Sequence, residues 1–438
     1  MPHRAQDRRI RICVATSYAA TAEPRAARYT AELAKLAPSH FEVVFIDCVP
    51  IGQKCTIPME FRNLPNVKYR TSFFAWRGGG RVRLLFDKLR QWIARRSYRS
   101  GVLPGAASLS TRAIGLQKML LAERAEIYFG FNIDTLIPVY RAARAAGAPF
   151  LFDCQEIYSE MTRDQPQLDR DLIRTVEQIC LPECSLVLAA SPEAAEFIEE
   201  RYGLADVLPL LNVPPMEEIG DSDRMDGFTL YWRNGTVDLG PRGLSDALHA
   251  MQMLPPEITL CVQGRPAADG GERVRQLIRQ LGIGDRVVIL PPFRPEEAVR
   301  VAARHQIGLA LESPSSINAD LTTANKFFDY AMAGLAIVST RTKSLHGLVT
   351  SAGLGLVYEP GDAADLARQI MRLYEDRELL ASARKNARRY ALGEGNLEFQ
   401  MQRFREAFRE RVLRTITGPA NIKEEPGLSL DHRERGPQ

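Results

Sequence analysis

The 438-residue chain is predicted to fold as an α/β protein with two parallel-sheet domains in tandem. Three observations predict this. Short apolar runs alternate with helical periodicity from residue 10 onward, the order in which a parallel sheet is wound. The alternation breaks at the proline-bearing, acidic stretch VPPMEEIGDSDRMDG, residues 213–227, and resumes at Phe228. The length also exceeds one ordinary core, so two domains of roughly 200 residues each are expected.

In the first half, residues 10–16 and 41–48 read as strands around a helix at 23–36. The loop 17–21 between them holds no glycine, which excludes a dinucleotide fingerprint. Residues 125–129 and 149–153 are further strands, separated by an alanine-rich helix at 135–146. After the second of these, DCQEIYSEM puts Asp153, Gln155 and Glu156 at a strand's C-terminal end, where open α/β sheets place their chemistry. A helix at 167–181 and a strand at 185–190 follow, and Ser191 caps the next helix. The second half repeats the pattern with strands at 228–232, 258–263, 286–290 and 307–311 and helices at 243–254, 271–281 and 295–303.

The stretch ANKFFDYAMAGLAIVST, residues 324–340, organises the second half. Ala324, Phe327, Phe328 and Ala331 fall at i, i+3, i+4 and i+7, so one helix face packs inward. Lys326, Asp329 and Tyr330 share another face, where a cation three residues before a carboxylate would ordinarily be a surface ion pair. Gly334 stops the helix, and 335–339 reads as a buried strand. A strand at 357–358, helices at 363–374 and 377–391, with Asp376 as N-cap of the second, and an amphipathic helix at 397–414 complete the fold. Residues 418–438 are polar and read as a disordered tail.

Composition bounds the function. The 57 basic and 53 acidic residues leave a net charge of +4, which argues against a nucleic-acid partner. The seven cysteines are scattered and odd in number, as reduced core thiols of a cytosolic protein would be. Cys180 and Cys184 lack a second Cys or His pair nearby, and the acid-x-acid triplets Asp169-Arg170-Asp171 and Asp221-Ser222-Asp223 are a common chance pattern, so no metal site is assigned. The apolar run after the charged N-terminus is too short for a signal peptide, and no stretch approaches the roughly 20 apolar residues of a spanning helix. Membrane contact, if any, is therefore expected from the cytoplasmic surface.

One segment raises that contact. Residues 81–99, RVRLLFDKLRQWIARRSYR, hold seven basic residues and one acid, Asp87, around Leu84, Leu85, Phe86, Leu89, Trp92 and Ile93. Two placements are compatible with it. The apolar residues face the core and the arginines face water, or the helix lies on an anionic membrane with Trp76 and Trp92 as interfacial anchors.

Two loops in the second half have the ingredients for holding an anion. In NGTVDLGPRGL, Gly235, Gly240 and Gly243 let backbone approach a ligand, and Arg242 stands at a helix start. SLHGLVTSAGLG offers Ser344, His346 and Gly347 before a short helix, and Gly264-Arg265 adds a turn at the same kind of sheet edge. Arg242 and Lys326 together could neutralise a diphosphate without a metal.

These motifs resemble the GT-B glycosyltransferases, and among them the retaining, nucleotide-sugar-dependent family 4 (glycosyl transferases group 1), over about residues 10–411. The most specific part is ANKFFDYAMAGLAIVST followed by GLGLVYEPGDAADLARQI; RGLSDALHAM and GFNIDTLIPVYRAARAAGAPFLFDCQEIYSE support it. The resemblance implies two Rossmann-like domains facing a cleft. Residues 1–212 would form the acceptor side, 213–227 a linker, 228–395 the nucleotide-sugar domain and 396–417 a helix crossing back to the first domain. It implies transfer of a sugar from a nucleotide-diphosphate sugar to a glycan or lipid-linked acceptor, with retention and no cofactor, in cell-surface polysaccharide or glycolipid biosynthesis. By position, Gly235, Arg242, Gly264, Arg265, Lys326 and the backbone of His346, Gly347 and Leu348 would meet the donor's phosphates, and Asp329 its ribose. Lys326, Asp153 and Glu156 are the catalytic candidates, and Asn132 and Gln155 belong to the acceptor or sugar side.

Departures from the family pattern keep two alternatives open. Asp329 is one methylene shorter than the usual glutamate, Leu321 stands where a partner acid is often found, Gln155 replaces a histidine, Asn132 a frequent aspartate, and SYAAT a glycine-rich loop. A catalytically silent scaffold in a polysaccharide assembly would suit these changes. A sugar-nucleotide epimerase is less favoured, because none of the six histidines lies in the first-domain cleft segments.

Overall fold

A computed structural model describes residues 9–220 and 227–417. Asp221 to Asp223 and the expected tail at 418–438 lie outside the described residues. Strands β1 (Ile10–Thr16), β2 (Phe41–Pro50), β3 (Val67–Phe74), β4 (Ile127–Phe131), β5 (Phe150–Cys154), β6 (Leu186–Ala189) and β7 (Leu208–Pro209) form one sheet in the order β3-β2-β1-β4-β5-β6-β7. Strands β8 (Phe228–Val237), β9 (Ile258–Pro266), β10 (Val287–Leu290), β11 (Ile307–Ala310), β12 (Ala336–Thr340) and β13 (Gly355–Tyr358) form a second, ordered β10-β9-β8-β11-β12-β13. All pairings between these strands are parallel, as the strand and helix alternation requires.

Both faces of each sheet are covered by helices, so the central strands are buried along their whole length and mostly apolar: every residue of β4, β5 and β12 is buried, with Asp153, Ser339 and Thr340 the polar ones toward their C-terminal ends. Each sheet grows outward in one direction, then switches to the other side. The switch falls between β1 and β4 in the first sheet and between β8 and β11 in the second. Loops diverge there and leave a crevice at the C-terminal strand ends, the natural ligand position in an open sheet.

Two of the elements that escape the sequence reading do so for physical reasons visible in the fold. β3 is an edge strand whose residues are largely half-buried or exposed, so it lacks an apolar run. The helix Arg112–Glu123 contains Gly115, which a helical pattern disfavours, but a Cβ there would stand 2.5 Å from Ser72 Oγ. Glycine thus lets the helix approach β3. The helix Leu397–Phe408 is capped by the Asn396 side chain and packs on the first domain, with the Phe404 ring 5.9 Å from that of Phe129 in β4 and 4.7 Å from that of Tyr29.

The helix Arg81–Arg96 overturns the inward expectation. Its one buried residue is Asp87, whereas Leu85, Phe86, Leu89, Trp92 and Ile93 are exposed. None of the helices among the described residues is long and apolar enough to cross a membrane.

Candidate functional site

The second sheet's switch point gathers charge. β8 runs past Trp232 through a bulge at Arg233, so the predicted loop residues Asn234 and Gly235 are still strand. β11 ends at Ala310, and Leu311 and Glu312 follow. The helix Asn325–Met332 lies alongside, buried at seven positions from Lys326 to Met332. The expected surface ion pair does not form. Lys326 turns to Glu312, Nζ to Oε1 at 2.6 Å, while Asp329 pairs with Arg233. Glu312 also receives Arg242, so one carboxylate joins a cation from a loop to one from a helix.

Backbone fixes these side chains. Trp232 Nε1 donates to the Arg242 carbonyl at 2.9 Å, and Ser313 N–H to the Pro241 carbonyl at 2.9 Å. The Lys326 ammonium stands 5.7 Å over the Trp232 ring. Arg233 N–H donates to the Tyr330 hydroxyl at 3.1 Å, and the Arg233 guanidinium lies over Phe293. Gly243, at φ +68°, caps the helix Leu244–Met251; a Cβ there would meet Leu311 Cβ at 2.4 Å.

Three cations, Arg233, Arg242 and Lys326, therefore share two carboxylates. Burial pushes the Glu312 carboxyl up, but Lys326 and Arg242 outweigh it and hold it below the usual carboxylate range. Burial pulls the Lys326 ammonium down; Glu312 opposes that, and Arg242 and Arg233 add to it. Glu312 is thus the firmly ionised partner, and Lys326 is a cation held against its desolvation. Among the described residues, buried Arg233 Nε has no hydrogen-bond partner, whereas Lys326 Nζ is held by Glu312. The Arg233 donor calls for an acceptor from outside the chain. Arg233 and Glu312 were not singled out in the sequence. Each directly follows a predicted strand, which was the available signal, but their adjacency depends on strand order.

The first sheet's switch point carries a second polar group. Asn132, at the end of β4, adopts φ +70°, a costly conformation for a residue other than glycine. Its Oδ1 accepts from Thr16 Oγ1 at 2.9 Å and its Nδ2 donates to Glu23 Oε2 at 2.9 Å. Gln155 Nε2 donates to the other Glu23 oxygen at 3.2 Å. Glu23, absent from the sequence-derived candidates, joins both of the residues expected on the acceptor side. Burial raises its pKa, and the two amides resist that.

The remaining candidates divide. Asp153 is fully buried; Arg25 holds its oxygens at 2.6 and 3.0 Å and also reaches the Leu210 carbonyl, so the Asp153 carboxylate braces helix Pro24–Leu36 rather than facing the crevice. Glu156 reaches across to the second domain, accepting from Asn318 Nδ2 at 2.6 Å, while Asn318 Oδ1 accepts from Ile157 N–H at 2.7 Å. Burial raises the Glu156 pKa; Arg242 lowers it and Glu312 raises it, which brings the residue within electrostatic reach of the other switch point. His346, Gly347 and Leu348 do not precede a helix. They lie inside helix Lys343–Ser351, whose N-cap is Thr342, and His346 N–H is committed to the Thr342 carbonyl at 2.9 Å. Any helix-terminal donors belong to the turn upstream. Arg265 is exposed at the end of β9, with Nε 3.5 Å from the Gly235 carbonyl. Gly264, at φ +157°, lies against the Asn234 carbonyl. Asp169 is taken by Arg95.

Residues 239–390 match the family described as glycosyl transferases group 1. HepE from Anabaena, solved in complex with UDP, superposes with a TM-score of 0.67 at 15% identity, over 91% of this chain and 100% of that one. Sucrose-phosphate synthase from Thermosynechococcus elongatus superposes with a TM-score of 0.69 at 15% identity, over 92% and 99%. A glycosyltransferase from Rickettsia africae gives 0.64 at 11% identity, over 92% and 98%. No curated protein matches the chain in sequence. At these identities the structural likeness is one of fold. The chain has the GT-B fold, two parallel-sheet domains with facing switch points, and its residues 239–390 match the glycosyl transferases group 1 in sequence.

Proposed function

We propose that the protein transfers a sugar from a nucleotide-diphosphate sugar to a glycan or lipid-linked acceptor, with retention, without a metal, and at the cytoplasmic face of a membrane. The observation that carries this reading is the grouping of Arg233, Arg242 and Lys326 around the β8/β11 crevice, with the buried Arg233 Nε still without an acceptor. HepE, whose fold is similar, has been solved with UDP and with UDP-glucose. Breaking the anomeric bond leaves its electron pair on the diphosphate, and fixed cations in a water-poor crevice stabilise that growing charge more than water would. Asp329, oriented by Arg233, would accept from the ribose hydroxyls. Across the cleft, Glu23 with Asn132 and Gln155 offers acceptors and donors for sugar or acceptor hydroxyls. Glu156 and Asn318 hold the two halves in register.

The test is incubation of purified protein with a panel of nucleotide sugars and a membrane extract, following nucleoside diphosphate release and labelled product. Absence of saturable nucleotide binding would sink the reading. Glu23→Gln is expected to leave nucleotide affinity unchanged and to raise the acceptor KM roughly tenfold, because it removes a charged hydrogen-bond acceptor from the first-domain side alone.

One observation favours the scaffold alternative. Leu321, where an acid is frequent in the family, is buried in the first domain's core cluster, and its carbonyl accepts from Ser191 Oγ. That position serves domain contact here. Nucleotide binding without product release from any sugar nucleotide would support the scaffold.

A further inference from the structure

We propose that helix Arg81–Arg96 is a docking surface for an anionic lipid bilayer, inserted by its outward apolar stripe. At about 100° per residue, Val82, Leu85, Phe86, Leu89, Trp92 and Ile93 fall within an arc of about 120°. All six face solvent, with exposures from 52% to 72%. A helix of a water-facing protein ordinarily turns such a stripe toward the core.

The opposite face is held down by polar contacts, so the stripe has no inward alternative. Asp87 is buried there, and Gln91 Nε2 donates to the Leu109 carbonyl at 3.4 Å. Arg95 pairs with Asp169, and the Tyr98 hydroxyl bonds the Asp171 carbonyl at 3.0 Å and Thr175 Oγ1 at 2.7 Å. The helix is anchored as a rigid blade with its apolar edge outward.

Charge selects the occupant. Arg81 and Lys88 fall along one margin of the stripe, Arg83 and Arg90 along the other, and Arg96 within it, with Arg99 just past the helix end. Among the described residues Arg81, Lys88, Arg96 and Arg99 form no ion pair, while Arg83 and Arg90 lean only toward Asp87 at 3.5 and 3.9 Å. Cations flanking apolar side chains on one face match a bilayer interface. The stripe reaches the acyl boundary and the long basic side chains spread to the anionic headgroups. Trp92 within the stripe and Trp76, 39% exposed just before the helix, suit the interfacial depth. The helix follows the C-terminal end of β3, the cleft-side edge of the first sheet. Docking would thus bring the cleft mouth to the membrane, a consequence that rests on the transferase reading, whereas the docking itself does not.

The experiment is sedimentation of the full chain with vesicles of phosphatidylcholine alone and of phosphatidylcholine mixed with phosphatidylglycerol. Binding is expected to the mixed vesicles at low salt, weakened about tenfold or more on neutral vesicles or in high salt. Leu89→Glu with Trp92→Glu should remove it. Arg81→Glu with Lys88→Glu and Arg96→Glu should weaken it roughly tenfold or more while keeping the wild-type melting temperature. Three results overturn the proposal: no binding to mixed vesicles, binding indifferent to the Leu89 and Trp92 substitutions, or a wild-type dimer in light scattering that those substitutions disperse. Saturable UDP, ADP or GDP binding, measured on the same preparations, reports on the transferase reading separately.

Discussion

Lys326→Ala is expected to weaken nucleoside diphosphate binding by about 100-fold or more, the largest single effect in the second domain. A charge-assisted contact to phosphate accounts for roughly 10- to 100-fold by itself. The rest comes from Glu312. With Lys326 gone, a buried carboxylate retains only Arg242 and repels an incoming diphosphate. The double variant Lys326→Ala with Glu312→Ala should therefore bind better than Lys326→Ala alone, a non-additivity that titration calorimetry with UDP, ADP and GDP would read directly. pH provides an independent check. Burial lowers the Lys326 pKa, so its positive charge is fully present below that value and is lost as pH rises through it. Wild-type affinity should then decline on the alkaline side before an ordinary lysine would titrate. Undiminished affinity in Lys326→Ala would move the site elsewhere.

The second large effect concerns glycines that are alike in the sequence and unlike in the fold. Gly243→Ala and Gly264→Ala are expected to lower stability by roughly 2–5 kcal/mol each, combining a conformation that side chains avoid with overpacking. A Cβ on Gly243 would stand 2.4 Å from Leu311 Cβ, and one on Gly264 would stand 2.2 Å from the Asn234 carbonyl oxygen. Gly235→Ala should shift stability by no more than about 0.5 kcal/mol, since a Cβ there meets nothing within 4 Å. Denaturant unfolding of the three variants decides it. Equal stability of all three would mean that the loops packed on β8 and β11 are looser than described.

The same contrast runs through the site. Helix Asn325–Met332 was legible because its periodicity and the stop at Gly334 are local properties, as were the glycine and arginine of the loop before helix Leu244–Met251. The partners were not. Lys326 and Asp329 look like one ion pair in sequence, yet Asp329 pairs with Arg233, 96 residues away, and Lys326 with Glu312. Asp153 reads as a cleft residue from its place after an apolar run, but Arg25 arrives from a separate helix and takes its charge into the core. Helix Lys343–Ser351 follows Thr342 because that hydroxyl accepts from Leu345 N–H and caps it there, upstream of the expected start.

By itself, then, the sequence determined the two α/β domains, since strand and helix periodicity, a break at residues 213–227 and chain length are properties of neighbouring residues. It also determined that an amphipathic basic helix lies within residues 81–99, which the structure ends at Arg96. Only the tertiary structure decided which way that helix turns, because periodicity defines an apolar face and is silent on what the face meets; the polar contacts of Gln91, Arg95 and Tyr98 settle it, with Asp87 buried on the same side. Only the tertiary structure, likewise, brought Glu23 to Asn132 and Gln155, and Glu312 to Arg242 and Lys326. Both groups form where strand order reverses, and that order is a long-range property of the whole sheet.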